Sequence, residues 1–190
     1  ATGAPGSVVV LLSAGSDSNG QWLGFAGQQQ ITVGVEPRGL ASADFNLDGR
    51  ADLAVANATG NSVSVMINSG TGTVFPAVQT LGSVGSRPVA VAATNLNVDA
   101  IDGESAPELI VLAQNSAEVR VFTPSAGAGA FAQVGAPVGL PPGSAPGSLT
   151  PFDPDQDKNV RRRRIAVTLG GIDAAQVIDN VGAPGGAVAL

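Results

Sequence analysis

Apolar residues in this chain come in short bursts rich in Val and Ala, broken often by Gly, Pro, Asn and Asp. Small and β-branched residues between turn formers favour strands over helices. Bounded runs of this kind predict strands at 38–44, 52–57, 62–68 and 75–80. A second set falls at 88–94, 108–114, 118–123 and 130–138. A third falls at 146–152, 164–169 and 174–179, with a weaker fourth strand at 186–190.

The three sets share one plan. "PRGLASADFNLDGRADLAVANATGNSVSVMIN" begins at Pro37, "RPVAVAATNLNVDAIDGESAPELIVLAQNSAEVRVFT" at Arg87, and "APGSLTPFDPDQDKNVRRRRIAVTLGGIDAAQVIDN" at Ala145. Each runs strand, acidic loop, strand, short turn, strand. The loops start at Asp44, Asn95 and Asp153, 51 and 58 residues apart. That period exceeds a WD40 unit and approaches a kelch unit, and four short strands with their turns fill it. "SVVVLLSAGSDSNGQWLGFAGQQQITVG" at 7–34 matches "SVSVMINSGTGTVFPAVQTLGSVG" at 62–85, so the chain opens on the last two strands of a unit. The expected organisation is a linker at 1–6, a half unit at 7–34, and units at 35–85, 86–145 and 146–190, the last without a clear closing strand. The Gly/Ala/Pro-rich stretch 124–148 has a linker's composition. It stands where a fourth strand and the next loop belong, and is expected to fold.

Repeated four-stranded units predict an all-β fold: a β-propeller of antiparallel blades. About three and a half blades make a partial propeller, completed by the rest of a longer chain, by further copies or by partners.

The loop "DFNLDGRAD" carries the clearest chemistry. Calcium takes 6–8 oxygen ligands at about 2.3–2.6 Å. Asp44, Asn46 and Asp48 supply positions 1, 3 and 5, Gly49 permits the bend, the Arg50 carbonyl supplies position 7 and Asp52 closes at position 9. An EF-hand would place Glu at position 12, where this chain has Val55. The flanks are strands, so the alternatives are a β-loop-β calcium site and an Asx-rich turn without metal.

"ADFNLDGRADLAVANATGNSVSVMINSGTG" resembles the FG-GAP/VCBS repeat, the propeller blade also found in integrin α-subunit heads. The resemblance covers nearly the whole chain and is strongest over 35–85. It implies a blade with calcium held between its first two strands by Asp44, Asn46, Asp48, the Arg50 carbonyl and Asp52. The other loops depart from the pattern. In the second, Asn95, Asn97 and Asp99 take the early positions, an insertion follows that includes Asp102, and Glu108 stands in place of Asp52. Fewer early carboxylates predict weaker binding. In the third, Asp153, Asp155 and Asp157 are well spaced, but Arg164 closes the loop, and arginines paired with the aspartates compete with a metal reading.

Composition narrows the function classes. A net charge of −6 argues against a nucleic-acid binder, which would need a basic face. With Cys and His both absent there are no disulfides and no Cys/His zinc site. No run approaches the ~20 apolar residues of a membrane-spanning helix. Only 13% of residues are charged, which suggests buried surface beyond one small core. "RRRR" at 161–164 alternates between strand faces and does not form one basic patch. "SDSNG" at 16–20 predicts a hairpin turn. Asn57-Ala58-Thr59 fits a glycosylation sequon, and Trp22 and Phe25 suit either a sugar site or packing between blades.

No catalytic constellation is visible without His, Cys or Tyr, so a non-enzyme is expected. The expected function is a calcium-binding scaffold for protein interaction or adhesion, extracellular or at the cell surface, a bacterial periplasm included. The alternatives are a lectin-like propeller that binds glycans and a non-catalytic module of a secreted enzyme.

Overall fold

The computed structural model describes residues 3–71, 74–96, 106–124, 130–152 and 164–179. All regular elements within them are strands: β1 (Ser7–Ser13), β2 (Phe25–Thr32), β3 (Pro37–Ala43), β4 (Asp52–Asn57), β5 (Ser62–Met66), β6 (Val78–Leu81), β7 (Pro88–Thr94), β8 (Glu108–Ala113), β9 (Glu118–Pro124), β10 (Phe131–Gly139), β11 (Pro146–Phe152), β12 (Arg164–Leu169) and β13 (Ala174–Asp179). They form separate antiparallel sheets in the orders β1-β2, β3-β4-β5-β6, β7-β8-β9-β10 and β11-β12-β13. Among the described residues no sheet closes on itself. The chain is all-β with the meander sheets of a partial propeller, as the repeat predicted.

The inner strands of the complete sheets are the most buried, β4 and β5 in one and β8 in the other. β4, "DLAVAN", and β8, "ELIVLA", are apolar at consecutive positions because a neighbouring sheet covers each face. Side chains alternate between those faces. Val55 joins Ile31, Val33, Met66 and Phe75 in one cluster. Ala54 and Ala56 face the other way, joining Val63, Val65, Leu109, Val111 and Phe122. Ile110 and Leu112 alternate with Leu109 and Val111, and pack with Val119, Leu149, Ile165, Val167 and Leu169. The core is therefore a series of slabs between successive sheets.

The first strands stand side by side, β3 against β7 and β7 against β11. Gly39 allows the first approach: a Cβ there would lie 2.8 Å from the Ala90 Cα and 3.0 Å from the Val89 carbonyl oxygen. Each first strand opens on a proline, Pro37, Pro88 or Pro146, where a missing N–H costs least. The carbonyl just before each proline is used in the same way. Those of Glu36, Arg87 and Ala145 accept the amides of Ala58, Gln114 and Gly170 at 2.9, 2.9 and 3.2 Å.

Two boundaries differ from the sequence expectation by more than one residue. β5 ends at Met66 rather than 68 because the Asn68 amide turns to the Asp52 carboxylate, at 2.8 Å. β6 starts at Val78 rather than 75. Phe75 is buried in a core slab as an anchor, and Pro76 has no N–H to give a ladder. The weak strand expected at 186–190 lies outside the described residues.

Candidate functional site

The loop joining β3 to β4 carries the candidate metal residues, and its geometry follows from short side chains that bond their own backbone. The Asp44 carboxylate accepts the Asp48 amide at 3.0 Å and the Gly49 amide at 2.7 Å. Asn46 Oδ1 accepts the Asp48 amide at 3.2 Å, and Asp48 Oδ1 accepts the Arg50 amide at 2.9 Å. Gly49 takes φ 81° and Leu47 φ 59°, the left-handed turns that wind the loop tightly. The Asp48 carboxylate is also engaged by cationic and amide donors: Arg50 Nη2 at 2.6 Å and Asn46 Nδ2 at 2.7 Å both reach Oδ2. Arg50 Nε meanwhile donates to the Asn68 carbonyl at 3.0 Å.

Asp52 behaves differently from the rest of the loop. It is the first residue of β4 and fully buried. Its Oδ2 accepts the Phe45 amide at 2.9 Å and its Oδ1 the Asn68 amide at 2.8 Å. One carboxylate thus ties the start of the loop to the end of β5. Burial pushes its pKa up, the Asn68 and Phe45 amides pull it down, and Asp48 and Asp44 push it up again.

The second loop repeats this tie. Glu108 opens β8, is 2% exposed, and accepts the Leu96 amide at 2.7 Å. Leu96 follows Asn95 as Phe45 follows Asp44. Asn95 is half-buried at the loop entrance, whereas Asn97, Asp99 and Asp102 lie outside the described residues. So do Asp153, Asp155 and Asp157 of the third loop. Arg164 opens β12 at the corresponding position, paired across the ladder with Phe152 and Asp179.

All the donors of the first loop are oxygens in the order calcium requires, and Asp44 and Asp48 both act on the buried Asp52. Chemistry and spacing therefore fit the ion. The arrangement is the self-bonded one, however: among the described residues no three acidic side chains are gathered so that they could hold a metal. Asp44, Asn46, Asp48 and the Arg50 carbonyl are the groups that would hold it, once Asp48 releases Arg50.

Asn57 of the sequon is fully buried, its Nδ2 donating to Ser62 Oγ at 3.1 Å and Ser64 Oγ at 3.0 Å. It is a core residue in this fold, not a surface acceptor. Trp22 and Phe25 are exposed and stack edge to face at 5.2 Å. The turn at 16–20 is closed by Asp17, whose Oδ1 accepts the Asn19 and Gln21 amides at 2.9 and 2.8 Å.

One group escaped the sequence analysis. Glu36 bonds Arg87 through Oε1 at 2.9 Å and Oε2 at 3.2 Å, Arg38 at 2.5 Å, and the Thr59 hydroxyl. Arg87 also donates through Nε to Gln114 at 3.2 Å, and Gln114 donates to the Pro146 carbonyl at 3.1 Å. This chain of bonds runs across three successive sheets. The Thr59, Arg38 and Arg87 bonds, in that order, hold the Glu36 carboxyl down at about 2. Its only sequence trace is a charged residue before each of two strand-opening prolines, "EP" and "RP".

No curated protein matches the chain. A family model does match: residues 44–111 fit that of the FG-GAP-like repeat. The matched stretch begins at the first acidic loop residue and ends inside β8, so it covers one full period across two neighbouring sheets. Fold, period and match agree: residues 44–111 are similar to the FG-GAP-like repeat, in an all-β chain whose sheets are those of a partial β-propeller.

Proposed function

We propose that this chain is a calcium-stabilised interaction scaffold, extracellular or at a cell surface, rather than an enzyme. The observation that carries the reading is the 44–52 loop. It places Asp44, Asn46, Asp48 and the Arg50 carbonyl in the donor order calcium requires, within a matched FG-GAP-like repeat. Calcium, when bound, would supply positive charge to a loop that otherwise sets Asp44 and Asp48 against a buried Asp52. Asp44 and Asp48 would turn their free lone pairs inward. Asp52 would keep the two backbone amides it already holds. Repeat modules of this architecture often serve protein interaction, and the low charge content of 13% suits surface meant to be covered.

Native mass spectrometry with and without calcium tests the reading. One bound calcium, lost in the Asp44→Asn/Asp48→Asn double variant, is expected. Absence of bound calcium in the unaltered chain overturns it.

A further inference from the structure

We propose that the Arg50 guanidinium is a built-in competitor at the calcium loop: it withholds Asp48 from the metal and so sets the affinity of residues 44–52. This deepens the scaffold reading and rests on it for the identity of the metal.

Between Gly39 and Ser86 the chain carries three carboxylates, Asp44, Asp48 and Asp52, and a single cation, Arg50. Both oxygens of Asp48 are engaged by that one residue. Oδ1 accepts the Arg50 backbone amide at 2.9 Å, and Oδ2 accepts Arg50 Nη2 at 2.6 Å. Asn46 Nδ2 adds a third bond, to Oδ2 at 2.7 Å. A short bond between two ionised groups is among the stronger hydrogen bonds. A divalent ion and a guanidinium on the same oxygen would repel each other. Arg50 must therefore let go of Oδ2 before Asp48 can act as a metal ligand.

The guanidinium is seated, not adrift. Its Nε donates to the Asn68 carbonyl at 3.0 Å. Its Cδ and Nε lie over Gly70, where a Cβ would come within 2.9 Å of both. Asn68 is fixed in turn. Its amide donates to Asp52 Oδ1 at 2.8 Å, its Nδ2 donates to the Ala51 carbonyl at 3.2 Å, and its Oδ1 accepts the Gly70 amide at 2.9 Å. The arm is thus held from two sides, by Asp48 and by the turn after β5. The two sides use different nitrogens, so Asp48 can be released while the bond to Asn68 is kept.

The pair is partly exposed, Arg50 at 42% and Asp48 at 22%. Such a pair adds little to global stability, yet it can bias a local equilibrium. A site that is open only part of the time has its dissociation constant raised by the inverse of that fraction, so a pair closed nine-tenths of the time weakens binding about tenfold. The second loop has no lysine or arginine between Asn95 and Glu108. The competitor is therefore a property of the first loop and not of every unit.

The test is calorimetric titration of calcium into the whole chain and into its Arg50→Met and Arg50→Lys variants, with circular dichroism to confirm folding. Arg50→Met should bind about tenfold more tightly. Lysine keeps the charge but lacks the fork that reaches Asp48 and Asn68 together, so Arg50→Lys should recover most of that gain. Arginine side-chain NMR of the unaltered chain follows the release itself. The Arg50 Nη protons, restrained by Asp48 in EDTA, should average in saturating calcium, while those of Arg87, bonded to Glu36, stay restrained. Equal or weaker binding by Arg50→Met overturns the proposal. So does an Arg50→Lys affinity equal to that of the unaltered chain, which would reduce the effect to charge repulsion, and so do Arg50 Nη protons that stay restrained with calcium bound. Each of these leaves the calcium site standing. Calcium binding by Arg50→Met alone supports the competitor and overturns the calcium reading of the unaltered chain. Binding by none of the three overturns both.

Discussion

β8 and β1 are almost equally apolar, yet they stand in opposite circumstances. "ELIVLA" lies between two strands and between two sheets, with every side chain buried. Among the described residues "VVVLL" has one neighbouring strand and one covered face, and Val9 and Leu11 are exposed. The difference shows what a continuous apolar run encodes in such a fold. It states how many faces the strand is made to bury, and the surroundings decide how many are buried. Where the two disagree, as at β1, the strand carries more apolar side chains than the described residues cover.

The sharpest way to break the comparison is to cut equal side chains from both strands. Ile110→Ala should cost about 4 kcal/mol, because it leaves a cavity in the slab shared with β12. Leu11→Ala should stay within about 0.5 kcal/mol, as exposed substitutions do. Urea unfolding of both variants measures this. Similar costs would mean that the β1 face carrying Val9 and Leu11 is covered in solution.

The next effect concerns the carboxylate at the head of β4. Asp52→Ala would strand the Phe45 and Asn68 amides and should cost about 3 kcal/mol. That loss should be the same in calcium and in EDTA, because the two bonds need no metal. Were Asp52 chiefly a ligand, the loss would shrink in EDTA. Glu108→Ala is the matching change in the next unit.

Calcium comes third. At a concentration 100-fold above its dissociation constant, bound calcium should add about 2.7 kcal/mol to the native state. In a chain of this size that raises the melting temperature by roughly 5–10 °C. Amide protection should rise in β3–β6, which carry the loop, and hardly at all in β1–β2. An unchanged melting temperature on adding EDTA would count against the site.

The smallest effect is expected from acid. Folding lowers the Glu36 carboxyl from about 4.5 to about 2. Its contribution is therefore complete above the unfolded value and is lost as pH falls from about 4.5 towards 2. Glu36→Gln should flatten that part of the stability–pH curve while leaving the neutral-pH fold intact. Exchange at the boundary between the β3–β6 and β7–β10 sheets should respond, and β1 should not.

Much of this architecture was legible in the residues. β4 and β12 begin and end where the sequence predicts, because an apolar run that is buried leaves little room for a different assignment. Ends governed by a single polar contact were harder to place. The Asn68 amide leaves the β5 ladder for a carboxylate sixteen residues earlier, a pairing no local pattern announces. Position 9 of the loop illustrates the same limit. Spacing marks Asp52 as an oxygen donor at the right place, but only the fold shows its two oxygens already facing backbone amides. The Asn57 sequon is a sequence pattern whose accessibility is decided wholly by packing.

The buried carboxylates have one more consequence. A half-buried strand cannot slip by one residue without turning its apolar face to water. β4 and β8 lack that safeguard, since a one-residue slip would exchange one oily face for another. Asp52 and Glu108 break the degeneracy. Each can meet its amide, Phe45 or Leu96, in only one alignment. The carboxylate works as an index mark, telling a strand that is featureless on both sides where it must begin.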